Sequence, residues 1–155
     1  MNQIAKIEAP LLPSVEAKEQ FLSLKVCGQL FGIAVIRIID VLKPVRVTPI
    51  PLSKPEVSGL MNLRGRIVTV IDLRKRLNIL SAEEPKKPMF VVVENENELF
   101  ALVTDEIGEA QSLNLTEFEK IPENLPTELR KVSRGIFKFE NELMLVLDIN
   151  SLVNF

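Results

Sequence analysis

The sequence predicts a mainly β protein: two small barrels, joined by short helical pieces and packed on one shared apolar core. Three observations carry this expectation. The 155-residue chain repeats itself at a spacing of about 70 residues, and an internal repeat has to be found before any fold is assigned. Its apolar runs are only about five residues long and alternate with Gly, Pro and Asn turn signals, which favours small barrels over βαβ units. Each copy also holds more apolar faces than one small barrel can bury alone, so the copies should share a core.

Taken in order, residues 1–19 carry two prolines and no clear period. They read as an N-terminal tail, helical near Val15–Gln20. Phe21 to Pro44 reads as strand, tight turn, strand, with Gly28 supplying the turn. Met89 to Leu113 repeats that pattern around ENENE, a polar hairpin turn. Phe21 and Phe90 are 69 apart, as are Phe31 and Phe100. Arg64-Gly65 and Arg134-Gly135 are 70 apart, and Asp72 and Asp148 are 76 apart. The second copy therefore carries six extra residues, which this reading places in the hairpin IFKFENELMLVL.

Both copies hold a proline-rich excursion, Val47–Asn62 and Lys120–Ser133. Prolines remove hydrogen-bond donors, so these stretches are expected as loops or edges. Pro55 suits the first position of a helical turn. The run Ile67–Ile71 reads as a strand buried on both faces. Asp72 and Asp148 suit N-caps of short helices. The basic residues of LRKRL, Leu73–Leu77, read as a solvated helix face. Ser81–Pro88, charged and holding two prolines, reads as the linker between a first half, 20–84, and a second, 85–155.

Composition excludes several functions. There is no histidine, so the usual general base near neutral pH and the commonest metal ligand are missing. Neither nucleotide-binding glycine signature is present. A net charge of −2 gives no general attraction to phosphates, so nucleic acid is not an expected partner. A single cysteine, Cys27, rules out an internal disulfide and has no evident activating neighbour. No signal peptide or membrane-length apolar run is present, so a cytoplasmic protein is expected. The mean hydropathy of +0.19 is high for a chain with 26% charged residues. A strand-rich core explains it, and so does an apolar surface that awaits a partner.

The segments FGIAVIRIIDVL (31–42), VSGLMNLRGRIVTVIDLRKRL (57–77), LFALVTDEIGEAQSL (99–113) and RGIFKFENELMLVLDINSLV (134–153) together resemble the CheW family of chemotaxis coupling proteins. GLMNLRGRIVTVIDLR is the most specific of these pieces. The resemblance implies two tandem SH3-like five-stranded barrels. It implies no catalysis, no cofactor and no metal. It implies a scaffold that binds the regulatory domain of the chemotaxis histidine kinase CheA and the cytoplasmic hairpin tip of chemoreceptors. Such a protein would be monomeric alone and held at membrane receptor arrays through its partners. The same domain also serves non-flagellar chemosensory pathways that control pilus motility.

The family pattern places an acidic residue 24 positions before the arginine of NLRG. Here these are Asp40, shorter than the more usual glutamate, and Arg64. The receptor-binding candidates are Asp40 and Arg64 by the resemblance, Ile38 and Val41 as groove residues of the apolar run, and Gly59 and Gly65, which bracket the turn and have a purely structural role as the alternative. Arginine suits such a contact because its planar fork binds carboxylates and stacks on apolar surface; an ordinary surface ion pair is the alternative. Asp105, Glu106, Ile107 and Gly108 are the kinase-binding candidates, though a plain turn explains them equally well. The rival class is an enzyme or ligand-binding barrel using Asp72 and Asp148, and self-assembly is a third reading.

Overall fold

A computed structural model describes residues 17–155. Ten strands run through it: β1 Lys18–Val26, β2 Gln29–Ala34, β3 Ile38–Leu42, β4 Val57–Leu63, β5 Arg66–Asp72, β6 Met89–Asn95, β7 Glu98–Thr104, β8 Glu106–Asn114, β9 Ser133–Lys138 and β10 Leu143–Leu147. Three short helices follow strands or loops: α1 Leu73–Arg76, α2 Thr127–Lys131 and α3 Ile149–Val153. The strands form two five-stranded sheets, β8-β1-β2-β10-β9 and β3-β6-β7-β5-β4. Each contains one parallel pair, β2 with β10 and β5 with β7. Since the first and last strands, β1 and β10, both lie in the first sheet, it is called the terminal barrel and the second the central barrel.

The repeat is real, but its copies exchange strands. The central barrel takes β3, β4 and β5 from the first half and β6 and β7 from the second. The terminal barrel takes β1 and β2 from the first half and the rest from the second. A division at 84/85 therefore cuts through both barrels. The repeat tells which strands are alike, and the parallel pairing tells which copy they join. β1 begins at Lys18, so Lys18–Gln20 are extended, not helical; Val15 and Glu16 lie outside the described residues. No helix forms at Pro55, where a turn leads straight into β4.

The extra residues of the second copy sit elsewhere than expected. Ile38 pairs with Val93, and its counterpart Ile107 pairs with Leu24, an offset of 69. Thr48 bridges Leu60 and Glu119 bridges Ile136, so the offset grows from 71 to 76 between these partners. The insertion thus lies in the excursion that holds α2. The two hairpin loops have equal length, because Leu63 faces Arg66 and the Phe139 amide donates to the Glu142 carbonyl. Arg134-Gly135 is no counterpart of Arg64-Gly65: it lies inside β9, and Gly135 matches Gly59.

Three hairpins use two-residue loops with both residues at positive φ: Cys27-Gly28, Arg64-Gly65 and Glu96-Asn97. That combination matches the right-handed twist of the flanking strands. Three apolar clusters result. Met61, Val68, Val70, Phe90, Val92, Leu99 and Ala101 fill the central barrel. Phe21, Leu30, Ala34, Phe137, Met144 and Val146 fill the terminal one. The largest cluster lies between them and takes the alternate residues of the same strands, such as Phe31, Ile33, Val91, Val93, Leu145 and Leu147. This is why β2, β6 and β10 are buried on both faces. β5 is not: Val68 and Val70 enter the barrel and Ile71 the shared core, but Ile67 stays 63% exposed.

Candidate functional site

Arg64 occupies the first position of the β4–β5 loop at φ +50, a region where side chains other than Gly, Asn and Asp are disfavoured. Asn62 Oδ1 accepts from the Gly65 amide at 2.9 Å and fixes the loop. The loop points the guanidinium at β3, where Arg64 Nη1 meets Asp40 Oδ2 at 3.0 Å. The shorter aspartate still reaches. Asp40 Oδ1 accepts from the Val41 amide at 2.8 Å, so the carboxylate is held from both sides. The Arg64 side chain is 75% exposed against 27% for Asp40. Most of its five donors therefore face solvent and remain free for a partner carboxylate. In stability such a pair is worth only ~0–1 kcal/mol.

Apolar surface adjoins this pair. A bulge in β3 pairs Ile38 with Val93 and Asp40 with Val92, leaving Ile39 unpaired between them. Ile39 is 52% exposed, and Val41 on the same strand is also exposed. Ile38, by contrast, packs against the shared core. The structure thus makes Val41 available and commits much of Ile38. Sequence reading missed Ile36, Ile39 and Ile67, all exposed. Their signal was present as an apolar run too long for one buried face, but a bulge cannot be located from sequence. Gly65 has open space around it, and its φ of +87 serves the loop. Gly59 lies near the opposite end of β4 and is packed against Thr48.

Asp105 is not a free surface carboxylate. It lies between β7 and β8 and accepts from Arg74 Nε and Nη2 at 2.9 and 2.8 Å and from the Cys27 amide at 2.7 Å. Both side chains of the ion pair are more than four-fifths buried. Of its neighbours, Glu106 is exposed, Ile107 packs against the shared core and Gly108 abuts Ser23. Burial pushes the Asp105 carboxyl upward, but the Arg74 hydrogen bonds and the Cys27 amide outweigh it and hold it below 3.8. A carboxyl lowered on folding stabilises the protein above its unfolded value, and that contribution is lost as pH falls through the folded value. Asp105→Asn should therefore be less stable than wild type at neutral pH. The difference should shrink on acidification below 3.8. Denaturant titrations at pH 7 and pH 3 check this, and an equal difference at both would contradict it.

The basic run after β5 is not a solvated face either. Arg74 is spent on Asp105, and Arg76 donates to the carbonyls of Leu152 and Ser151 at 2.7 and 2.9 Å. Arg76 also stacks on Phe155, and burial lowers its affinity for the proton. Cys27 has its thiol pushed up by burial, against the pull of Arg74, so its thiolate is not favoured. Asp72 and Asp148 both act as caps. Asp72 accepts from the Arg74 amide and Asp148 from the Ser151 amide and hydroxyl. Their carboxylates are thus engaged in separate barrels. Among the described residues no helix is long and apolar enough to cross a membrane.

The profile of the CheW-like domain matches residues 20–155. The chain belongs to the CheW-like family. It is 31% identical over 134 residues to a chemotaxis protein CheW of Thermotoga maritima, covering 86% of this chain and 87% of that one. With a chemotaxis protein CheW of Bacillus subtilis it shares 26% over 140 residues, 90% of each chain. The crystal structure of the scaffolding protein TtCheW from Thermoanaerobacter tengcongensis superposes with a TM-score of 0.82. It covers 90% of this chain and 94% of that one at 24% identity. This CheW-like fold is the pair of SH3-like barrels that the repeat and the resemblance led one to expect.

Proposed function

We propose that this CheW-like chain is a non-enzymatic scaffold of chemotaxis signalling that joins chemoreceptors to the histidine kinase CheA. The observation that carries the reading is the Asp40–Arg64 pair, with its exposed guanidinium, on a strand that also exposes Ile39 and Val41, in a domain of this family. A charged fork beside exposed apolar side chains suits a receptor hairpin, whose helices offer apolar stripes edged with carboxylates. The relatives' description as chemotaxis proteins supports the pathway, and TtCheW's description as a scaffolding protein supports the role. The kinase contact is assigned to Asp105–Gly108, with Glu106 exposed and Asp105 acting through the strand start it holds in place. The protein works in the cytoplasm, at the receptor arrays.

Ile39 and Val41 separate this reading from simple packing. Ile39→Ser and Val41→Ser together remove exposed apolar surface and should leave the melting temperature nearly unchanged. Titration against a receptor cytoplasmic fragment should show binding weakened about tenfold or more, since buried apolar anchors dominate interfaces. Unchanged receptor affinity in the folded double variant would sink the assignment of this face.

A further inference from the structure

The two barrels have repeat-related mouths that the chain treats differently. At the mouth of the central barrel, Val47, Val70, Phe90 and Val103 line a cavity of about 450 Å³, and Leu80 and Pro85 of the 79–88 connection line its other side, Leu80 itself 79% exposed. Arg74 binds this connection. Its Nη1 donates to the Glu83 carbonyl, while Nε and Nη2 grip Asp105. Asp105 in turn accepts from the Cys27 amide, and its own amide donates to Lys25. One guanidinium thus ties the connection, the β7–β8 junction and the β1–β2 loop together.

Among the described residues, the terminal barrel lacks this arrangement. By the pairing offsets, Ile36 stands where Asp105 does and Asn150 where Arg74 does. Ile36 is 86% exposed, and Asn150 is taken up with Asn95 and Asn154. An isoleucine and an asparagine cannot form an ion pair, and among the described residues a cavity lined in part by Glu19, Arg37 and Arg134 lies at this mouth. The shared core fixes how the barrels sit on each other, so an ion pair is not needed for that. What the pair can hold is the exposed connection, which has few buried contacts of its own.

We propose that Arg74 and Asp105 form a latch that keeps the 79–88 connection closed over the apolar mouth of the central barrel. A bidentate, largely buried fork is among the strongest hydrogen-bonded pairs a protein makes. Releasing it lets the connection lift without unfolding either barrel, because local opening costs less than global unfolding. Among the described residues, such a latch occurs only at the central barrel.

The inference needs no partner, so it stands or falls apart from the scaffold reading. The test is trypsin cleavage after Lys86 in the full chain, with fluorescence of the apolar probe ANS followed in parallel. Arg74→Gln should be cut about tenfold faster than wild type and bind more ANS, with its β circular dichroism retained. Arg74→Lys keeps the charge but not the fork and should fall between the two, and it decides the matter if Arg74→Gln does not fold. Cleavage at the wild-type rate in a folded Arg74→Lys or Arg74→Gln protein overturns the latch.

Discussion

Replacing Gly59 with alanine is expected to cost about 2–4 kcal/mol of stability, a backbone penalty and an overpacking penalty together. Gly59 sits at φ +150, and an added Cβ would run into the Thr48 carbonyl oxygen, with the carbonyl carbon 2.7 Å and Val47 Cγ1 2.9 Å away. Those atoms cannot easily withdraw. Thr48 is bound to Leu60 by two hydrogen bonds of 2.8 and 2.9 Å, and Val47 packs against the central-barrel core. The same device recurs at Gly135, crowded by Phe118 and the Glu119 carbonyl, with Glu119 bound to Ile136 by the same pair of bonds. A chain crosses closely over one strand of each barrel, and only glycine leaves room. Urea unfolding of the alanine variant checks the prediction, and a loss under about 1 kcal/mol would mean that the crossing segment moves aside readily. Because the crossing segment leads from β3, weakened receptor binding in this variant would follow from the lost packing.

Arg64→Glu should do the opposite: leave the fold intact and remove a binding function. The pair with Asp40 is exposed, so its loss and the new repulsion together cost about 1 kcal/mol or less. Affinity for a receptor fragment should fall about thirtyfold or more, since arginine is enriched among residues whose truncation costs about 2 kcal/mol or more. Arg64→Asn adds a sharper control. Asparagine tolerates the left-handed backbone better than arginine does, so this variant should be at least as stable as wild type yet bind receptor poorly. Arginine at φ +50 is a position where local preference yields, and such positions cluster where side chains act on partners. Binding unchanged in both variants would remove Arg64 from the receptor face.

Much of this was legible in the chain. The paired landmarks gave the duplication, and Asp72 and Asp148 gave two helix starts. Burial on both faces was expected of β5, where Ile67 is instead exposed, and belongs to β2, β6 and β10. What stayed hidden depends on distance in space. Nothing in the repeat says that β1 and β2 join the second copy, because either pairing would satisfy the same pattern of apolar residues. The matching Arg-Gly pairs misled, since one is a loop and the other lies inside a strand. Asp105 looked like a surface turn residue because its partners, Arg74 and Cys27, are 31 and 78 residues away. Ile39 could not be told apart from its apolar neighbours because the bulge that turns it outward depends on the register with β6.

The central claim is that one chain holds two partners at once, and co-sedimentation measures that directly. A membrane-reconstituted receptor fragment would be mixed with the soluble regulatory domain of the kinase, with and without this protein, and pelleted. The account predicts that the kinase domain pellets with receptor only when the chain is present, and that Arg64→Glu leaves chain and kinase domain together in the supernatant. Should the folded wild-type chain pellet with receptor but leave the kinase domain in solution, or pellet with neither, the scaffold reading would be contradicted.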